Sequence, residues 1–263
     1  IKKYNDIGSE LEIIIVENSP SHEIYNHIKN DYGNDIKVIK NINKGFGQGN
    51  NVGARAAKGE YLLFLNPDTI LVEPIFKFAI NKFRCNDKLA LFGLKLIDKN
   101  FKSNMSYYFI DKHNFIHGQI IKIFNRLNIF LKNCMYISGA NIFVRKEIFF
   151  QAGMFDENMF MYYEEPDLTK RIKNIGGETG FFKNKKIIHL EGMTTKCNEL
   201  ALNRRLDSAK YYSNKYNLNF KKQIKNEILY NKIKYIYFKI IKKIKNDFVK
   251  IINILKNYGE YFE

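Results

Sequence analysis

The sequence is poor in the residues that build disulfide-linked, zinc-binding or membrane-spanning proteins. It contains no tryptophan, four prolines and three cysteines among 263 residues. Cys85, Cys134 and Cys197 lie far apart without a CxxC pair, which argues against a disulfide framework or a zinc site and makes a reducing cytosol the expected compartment. No uncharged apolar run approaches the ~20 residues of a membrane span, and no signal peptide is visible.

Acidic residues are scarce relative to basic ones. Lysine and arginine total 43 against 27 aspartates and glutamates, a formal net charge of +16. The 43 residues from Lys221 onward hold eleven lysines and four acidic residues, so +7 of this excess lies in a tail. This distribution predicts an anionic partner for the tail and weakens the case for nucleic-acid binding by the larger body of the chain.

The sequence has ample material for a core, since 45% of its residues are hydrophobic and 15% are aromatic. Short strand and helix patterns alternate over residues 11–16, 35–42, 51–59, 60–65 and 73–83. This alternation predicts an α/β fold with a mostly parallel sheet flanked by helices, in a domain over residues 1–200. Isoleucines at three-to-four spacing opposite lysines predict a basic amphipathic helical extension over residues 201–263.

Three polar features end predicted strands, namely Glu17, the glycine-rich stretch 43–51 and Asp68. In open α/β sheets ligands collect at the carboxyl ends of strands, so we expect these features at one site. The glycine phase does not complete G-x-G-x-x-G, and no Walker Lys-Ser/Thr pair follows. A nucleotide-contacting loop other than a Rossmann loop is therefore favoured, with an ordinary flexible turn as the alternative.

Two acidic motifs are candidates for chemistry. Asp68 follows Asn66 and Pro67 in a corner that alone resembles a turn, but one carboxylate suffices for a Mg²⁺ ion that also binds substrate phosphates. In the run from Glu164 to Asp167, helix-dipole compensation explains Asp167. Glu164 and Glu165 precede the predicted helix, so one of them could face a cleft and accept a hydroxyl proton.

Four segments in register resemble the family-2 inverting glycosyltransferases, in particular the rhamnosyltransferase-like branch of bacterial surface-polysaccharide synthesis. They are "NKGFGQGNNVG", "GEYLLFLNPDTIL", "SGANIFVRKEIFFQAGMFDENMFMYYEEPDLTKRIKNIG" and "IIHLEG". The resemblance implies a GT-A fold, a nucleotide-sugar donor such as dTDP-rhamnose or a UDP-sugar, a glycan or lipid-linked acceptor, and Mg²⁺ or Mn²⁺. Without the Gln-x-x-Arg-Trp motif of processive synthases, one sugar per encounter is expected.

The resemblance also implies roles for individual residues. Glu165 falls at the catalytic base, and Glu164 and Gly139 fall beside the acceptor. Asp68 and His189 match the metal ligands, although a single strand histidine is more often structural. The positions matching the donor site are Glu17, Asn43, Gly45, Asn51, Asn66 and Asp68.

Two alternatives to a transferase remain at this point. The family's opening strand is missing before Leu11, as in a trimmed or degenerate chain, which raises a catalytically impaired sugar- or nucleotide-binding remnant as the alternative function. A nicotinamide-dependent oxidoreductase ranks lower because the glycines do not have the G-x-G-x-x-G spacing. The lysine-rich tail predicts either peripheral docking on an anionic inner membrane face by a cytoplasmic enzyme, or a helical cap or dimer interface.

Overall fold

A computed structural model describes residues 1–111, 114–190, 199–240 and 247–260. The strands are β1 (Ile14–Glu17), β2 (Lys37–Lys40), β3 (Tyr61–Leu65), β4 (Thr69–Leu71), β5 (Leu89–Ile97), β6 (Tyr107–Phe109), β7 (Met135–Ile137), β8 (Asn141–Arg145) and β9 (Glu178–His189). The α-helices are α1 (Glu23–Tyr32), α2 (Phe46–Ala56), α3 (Phe76–Arg84), α4 (Phe115–Leu127), α5 (Lys146–Gln151), α6 (Glu164–Asn174), α7 (Glu199–Lys215), α8 (Phe220–Ile240) and α9 (Asp247–Glu260).

The central sheet has five strands in the order β3-β8-β5-β9-β4. The pair β5–β9 is parallel, whereas β3–β8, β5–β8 and β4–β9 are antiparallel. A parallel pair β1–β2 and an antiparallel pair β6–β7 form two further small sheets. The predicted α/β class is therefore confirmed, but the strand directions are mixed rather than mostly parallel. Apolar runs buried on both faces look alike in either direction, so periodicity could not assign them.

Each face of the central sheet is covered by its own apolar cluster. Leu62 and Phe64 of β3 point into one cluster with Phe149 and Phe155, while Leu63 and Leu65 pack against the other with Phe83 and Phe92 as members. This alternation follows from the two-residue period of a strand. The two clusters pack the central sheet from both sides and so fix the strand ends near which the predicted site residues lie.

The glycine-rich stretch is helical where a loop was predicted. Helix α2 starts at Phe46, so Gly47 and Gly49 lie inside it. A Cβ on Gly47 would come within 2.9 Å of the Phe155 Cβ, and one on Gly49 within 2.9 Å of the Asn18 amide. These glycines therefore allow close packing of α2 on its neighbours, which outweighs their low helix propensity.

The C-terminal segment forms α7, α8 and α9 and packs on the domain. A helical cap of this kind was one of the alternatives that the sequence left open. Met159 and Tyr163 share an apolar cluster with Leu206, Phe220 and Leu255 from α7, α8 and α9. Two isoleucines of the predicted three-to-four pattern, at 233 and 236, are exposed on α8, which packs through other residues. Ile240, Ile244 and Phe248 follow in the same three-to-four pattern, and their side chains lie outside the described part of the chain.

The predicted domain boundary at residue 200 falls in the first turn of α7. The described ranges contain no helix long and apolar enough to cross a membrane.

Candidate active site

The corner after β3 is held against the start of β8. Leu65 pairs with Asn141, and the Asn66 backbone N–H donates to the Ala140 carbonyl at 3.1 Å. Asn66 is half-buried, and its own carbonyl accepts from the Thr69 N–H at 3.2 Å, which closes the turn. Because Gly139 directly precedes Ala140, the corner lies beside the acceptor-side residue implied by the sequence.

Asp68 and His189 are brought together by strand pairing. β4 runs antiparallel to β9 with Thr69 opposite His189, and the Leu190 N–H donates to the Asp68 carbonyl at 2.9 Å. The Asp68 Oδ1 lies 3.3 Å from the His189 Nε2, and both side chains are partly exposed. Two residues far apart in sequence therefore present an oxygen and a nitrogen ligand to the same small volume.

The donor set at this corner fits a divalent cation that is shared with a substrate. Within the described residues, no group of three or more histidine, cysteine or acidic side chains converges on one point. Mg²⁺ keeps several waters and is held by one or two carboxylates together with substrate phosphates, so a complete protein cage is unnecessary. One oxygen of Asp68 and one nitrogen of His189 fit the protein's share of such a site.

Glu165 is the second residue of α6 and is held by the turn before β8, so Glu164 and Glu165 lie inside the helix that they were predicted to precede. Its Oε1 accepts a hydrogen bond of 3.0 Å from the Gly139 N–H. A Cβ on Gly139 would lie 2.6 Å from that oxygen and 3.2 Å from the Phe46 ring, so any other residue here would displace the Glu165 carboxylate. Burial raises the pKa of the Glu165 carboxyl above its ordinary value, which makes the carboxylate a stronger base.

Glu164 lies deeper than Glu165. Only 2% of its surface is exposed, and its Oε2 has no hydrogen-bond partner among the described residues. Burial, followed by the charge of neighbouring Glu165, raises the pKa of the Glu164 carboxyl well above its usual range. Two carboxyls this close titrate as a pair, with Glu164 retaining its proton to higher pH than an ordinary glutamate.

The segment before Glu164 has an unusual backbone that the sequence did not reveal. Tyr162 and Tyr163 have φ values of +68° and +72°, a left-handed conformation that non-glycine residues rarely adopt twice in succession. The Tyr163 hydroxyl accepts a hydrogen bond of 2.5 Å from the Gln223 side chain of α8. Such strain persists where surrounding contacts fix it, and it concentrates at functional sites.

The glycine-rich loop contacts the same segment. Gly45 has a φ of +110°, and a Cβ there would come within 2.2 Å of the Phe160 carbonyl oxygen. That carbonyl accepts a 2.8 Å hydrogen bond from the Phe46 N–H, and the exposed Asn43 accepts from the Gly45 N–H at 3.1 Å. The loop implied to bind the donor is therefore tied directly to the chain that leads into Glu164 and Glu165.

Glu17 ends β1 as a buried carboxylate. It forms a 2.5 Å ion pair with Lys40 at the end of β2 and accepts from the Ser19 N–H. Burial alone would raise the pKa of Glu17, but these hydrogen bonds and the Lys40 charge outweigh it and lower the pKa. The residue is ionised at neutral pH and holds the ends of two adjacent strands together.

Asn51 lies away from the open part of the site. It is 1% exposed, its Nδ2 donates to the Phe155 carbonyl at 2.8 Å and to Glu157 at 2.9 Å, and its Oδ1 accepts from the Phe155 N–H. Every polar group of this side chain is therefore engaged in holding α2 to the 155–157 loop. Asn51 thus has a structural role in this geometry, and the donor contact that the resemblance implied for it stays a prediction.

An amide cluster near the predicted donor side went unrecognised in the sequence. The Asn41 Nδ2 donates to the Asn18 Oδ1 at 2.7 Å and to the Gln48 Oε1 at 2.8 Å. Asn18 follows β1, Asn41 follows β2, and Gln48 lies in α2. Their common position after strand ends was the available signal, but asparagine is frequent throughout this chain and the signal was lost among many.

Residues 2–151 match the sequence model of the family described as Glycosyl transferase family 2. The match covers more than half of the chain, and the chain belongs to this family.

Two known proteins illustrate the relationship. An uncharacterized glycosyltransferase of Rickettsia typhi is 28% identical over 162 residues, which are 60% of this chain and 48% of that protein. The crystal structure of GalNAc-T7 with UDP, GalNAc and Mn²⁺ superposes with a TM-score of 0.52 at 17% identity, over 81% of this chain and 44% of the other. The chain thus spans about half the length of the curated relative, and the predicted GT-A type fold is confirmed.

Proposed function

We propose that the protein transfers one sugar per encounter from a nucleotide-sugar donor to an acceptor hydroxyl and inverts the anomeric centre. The observation that carries this proposal is the placement of Glu165. Its carboxylate is fixed by the Gly139 N–H at 3.0 Å, next to the turn that receives the Asn66 backbone. A strengthened base therefore lies near the corner that presents Asp68 and His189, as transfer to a hydroxyl requires.

The chain's own groups account for the proton and for orientation. Glu165 accepts the proton of the acceptor hydroxyl as its oxygen attacks the anomeric carbon from the face opposite the nucleotide. Glu164 borders the acceptor side, and burial together with the charge of Glu165 raises the pKa of its carboxyl well above its usual range. General-base catalysis of this kind contributes about 10²–10⁴-fold in rate.

A divalent ion fits the leaving-group side. Asp68 and His189 would hold Mg²⁺ or Mn²⁺, which supplies charge stabilisation for the departing diphosphate when bound. The GalNAc-T7 structure contains UDP and Mn²⁺ together, which supports a donor and cation of this kind here. Asn43, Gly45, Glu17 and Asn66 complete the proposed donor side, and Gly139 borders the acceptor.

For the substrates, we propose dTDP-rhamnose or a UDP-sugar as donor and a glycan or lipid-linked acceptor of bacterial cell-surface polysaccharide synthesis. This choice rests on the four quoted segments and their similarity to the rhamnosyltransferase-like branch. The catalytically impaired sugar- or nucleotide-binding remnant stays as the second candidate. It is favoured because, within the described residues, β1 pairs only with β2 and no strand corresponding to the family's opening strand lies beside it. Family membership removes the ground for a nicotinamide-dependent oxidoreductase.

Calorimetric titration with UDP-, dTDP- and GDP-sugars, with and without Mn²⁺, tests donor binding. We expect one nucleotide class to bind in a Mn²⁺-dependent manner. Release of nucleoside diphosphate from that donor then tests turnover, with Glu165→Gln expected to retain donor affinity and lose about 10²–10⁴-fold in kcat. Absence of binding by every donor would refute the transferase proposal.

The outcomes separate the two candidates. Donor binding without turnover by the wild-type chain favours the remnant. Equal turnover by the wild type and Glu165→Gln removes Glu165 as the base. Glu147→Gln, at an exposed glutamate in the first turn of α5, is a control that should leave kcat unchanged.

A further inference from the structure

Helix α4 carries an apolar stripe on its outer surface. Ile116, Ile123 and Leu127 are each more than half exposed, and their spacing of seven and four residues puts them on one side of the helix. The opposite side packs inward through Ile121 and Asn125. Contiguous exposed aliphatic surface of this kind is uncommon in monomeric proteins and marks an interaction site.

Helix α8 presents a second stripe of similar composition. Leu229 and Ile236 are more than half exposed, and Ile233 is exposed between them. Their spacing of four and three residues again defines one side, whereas Ile224 and Asn231 are buried on the inner side. The isoleucines exposed on α8 therefore lie together on one outer side of that helix.

The two helices touch beside the stripes. The ring of Phe115 at the start of α4 lies 5.6 Å from the ring of Tyr230 on α8. Ile116 directly follows the first of these residues, and Leu229 directly precedes the second. We call the surface made by Ile116, Ile123, Leu127, Leu229, Ile233 and Ile236 the α4–α8 face.

Positive charge borders the α4–α8 face. Lys122 and Arg126 are exposed on α4, and Lys222, Lys225 and Lys232 are exposed on α8. No aspartate or glutamate occurs between Asp111 and Glu147, and the single acidic residue of α8, Glu227, forms an ion pair with Arg205. Within the described residues, no ion pair joins these five cations to a carboxylate, so their charge is available to an anionic partner.

The composition decides between kinds of partner. Nucleic acid would use the cations but leave the aliphatic residues in water. Protein interfaces are enriched in aromatic residues and arginine and depleted in lysine, the reverse of this surface. Aliphatic side chains flanked by lysine are typical of helices that lie in the interface of an anionic bilayer.

The position of the face relative to the active site supports this choice. Helix α4 lies in the chain between β6 and β7, and β7 ends two residues before Gly139. Helix α8 contacts Tyr163, which immediately precedes Glu164, through Gln223. Both helices are thus joined to the acceptor side of the site by short connections.

We propose that the α4–α8 face docks the protein on an anionic lipid bilayer, with the aliphatic side chains in the interface and the lysines against acidic headgroups. Docking in this orientation brings the acceptor side of the active site to the membrane surface. The inference concerns binding and does not depend on turnover.

Co-sedimentation of the full chain with vesicles tests the charge requirement. We expect binding to vesicles containing phosphatidylglycerol and none to pure phosphatidylcholine. The triple variant Lys222→Glu, Lys225→Glu, Lys232→Glu should bind at least ~100-fold more weakly, since each lysine near an anionic surface contributes roughly fivefold. A control with the same net charge, Lys77→Glu, Lys88→Glu, Lys99→Glu, should bind within about threefold of wild type.

The absence of tryptophan permits a direct readout of position. We expect Ile123→Trp and Ile233→Trp to shift their emission to shorter wavelength on phosphatidylglycerol vesicles, whereas Phe101→Trp, at an exposed position on another element, should not shift. Failure of the wild type to bind would overturn the proposal, as would equal loss of binding in both triple variants. The proposal would also be overturned if the wild type formed a dimer that Leu229→Ser dissociates and did not bind vesicles. That result would assign the α4–α8 face to contact with a second copy of the chain.

Discussion

Replacing Gly139 with alanine should separate catalysis from stability. The added Cβ would lie 2.6 Å from the Glu165 Oε1, whereas ordinary van der Waals contact begins at 3.4 Å, so the oxygen must retreat by about 0.8 Å. The carboxylate is the end of a flexible side chain and can move at little cost to folding. Misplacement of a reacting group by ~1 Å can cost 10²-fold in rate, so we expect kcat to fall about 10–100-fold.

The assay for Gly139→Ala is nucleoside diphosphate release from the donor identified by calorimetry. Donor affinity should stay within about twofold of wild type and the melting temperature within about 2 °C, a shift that corresponds to less than ~1 kcal/mol for a protein of this size. Gly118→Ala is the matched control, because its Cβ would meet nothing within 4 Å. If kcat of Gly139→Ala equals that of the control, the contact does not position the base.

Three further predictions concern the corner, the buried acid and the loop. Asp68→Asn should abolish the Mn²⁺-dependent part of donor affinity, at least ~10-fold by calorimetry, and leave the metal-free affinity unchanged. Glu164→Gln should retain turnover and should raise the melting temperature more at about pH 8 than at about pH 5. The pKa of Glu164 is higher in the folded than in the unfolded protein, so its contribution to stability is complete below the unfolded pKa of about 4.3 and is lost as the pH rises toward the folded value. Glutamine does not titrate and therefore avoids this loss. A gain in melting temperature independent of pH would contradict an elevated pKa. Gly45→Ala should destabilise the fold by about 2 kcal/mol or more, seen as a fall of at least ~4 °C in thermal denaturation, because its Cβ would collide with a carbonyl and its φ is positive; an unchanged melting temperature would show that the loop can move away.

Local chemistry explains which parts of the fold the sequence could predict. The strand at 60–65 and the helix after Glu165 could be predicted, because an apolar run and acidic residues at a helix start are short-range patterns. The antiparallel pairing of β8 between β3 and β5 depends on contacts between residues distant in sequence, and no short-range pattern encodes it. Gly47 and Gly49 were assigned to a loop because glycine has low helix propensity, whereas tight packing on Phe155 and Asn18 determined their conformation.

The candidate site likewise combines features that the sequence could predict with features that depend on tertiary contacts. The proximity of Asp68 and His189 was expected only through family resemblance, since the register that joins them spans the whole domain. The raised pKa of the Glu164 carboxyl could not be predicted, because the sequence places Glu164 before the helix and does not show how deeply its side chain is buried. The left-handed backbone at Tyr162 could not be predicted either, because its side chain favours other conformations and only the tertiary contacts of the neighbouring segment hold it.

The hydrogen bond from the Phe46 N–H to the Phe160 carbonyl has a kinetic consequence. It joins the loop that would hold the diphosphate to the segment that carries the catalytic carboxyls. We expect a nucleotide sugar bound in this loop to restrain the segment before an acceptor binds. We expect substrates to add in a fixed sequence, donor before acceptor, with the spent nucleotide leaving last.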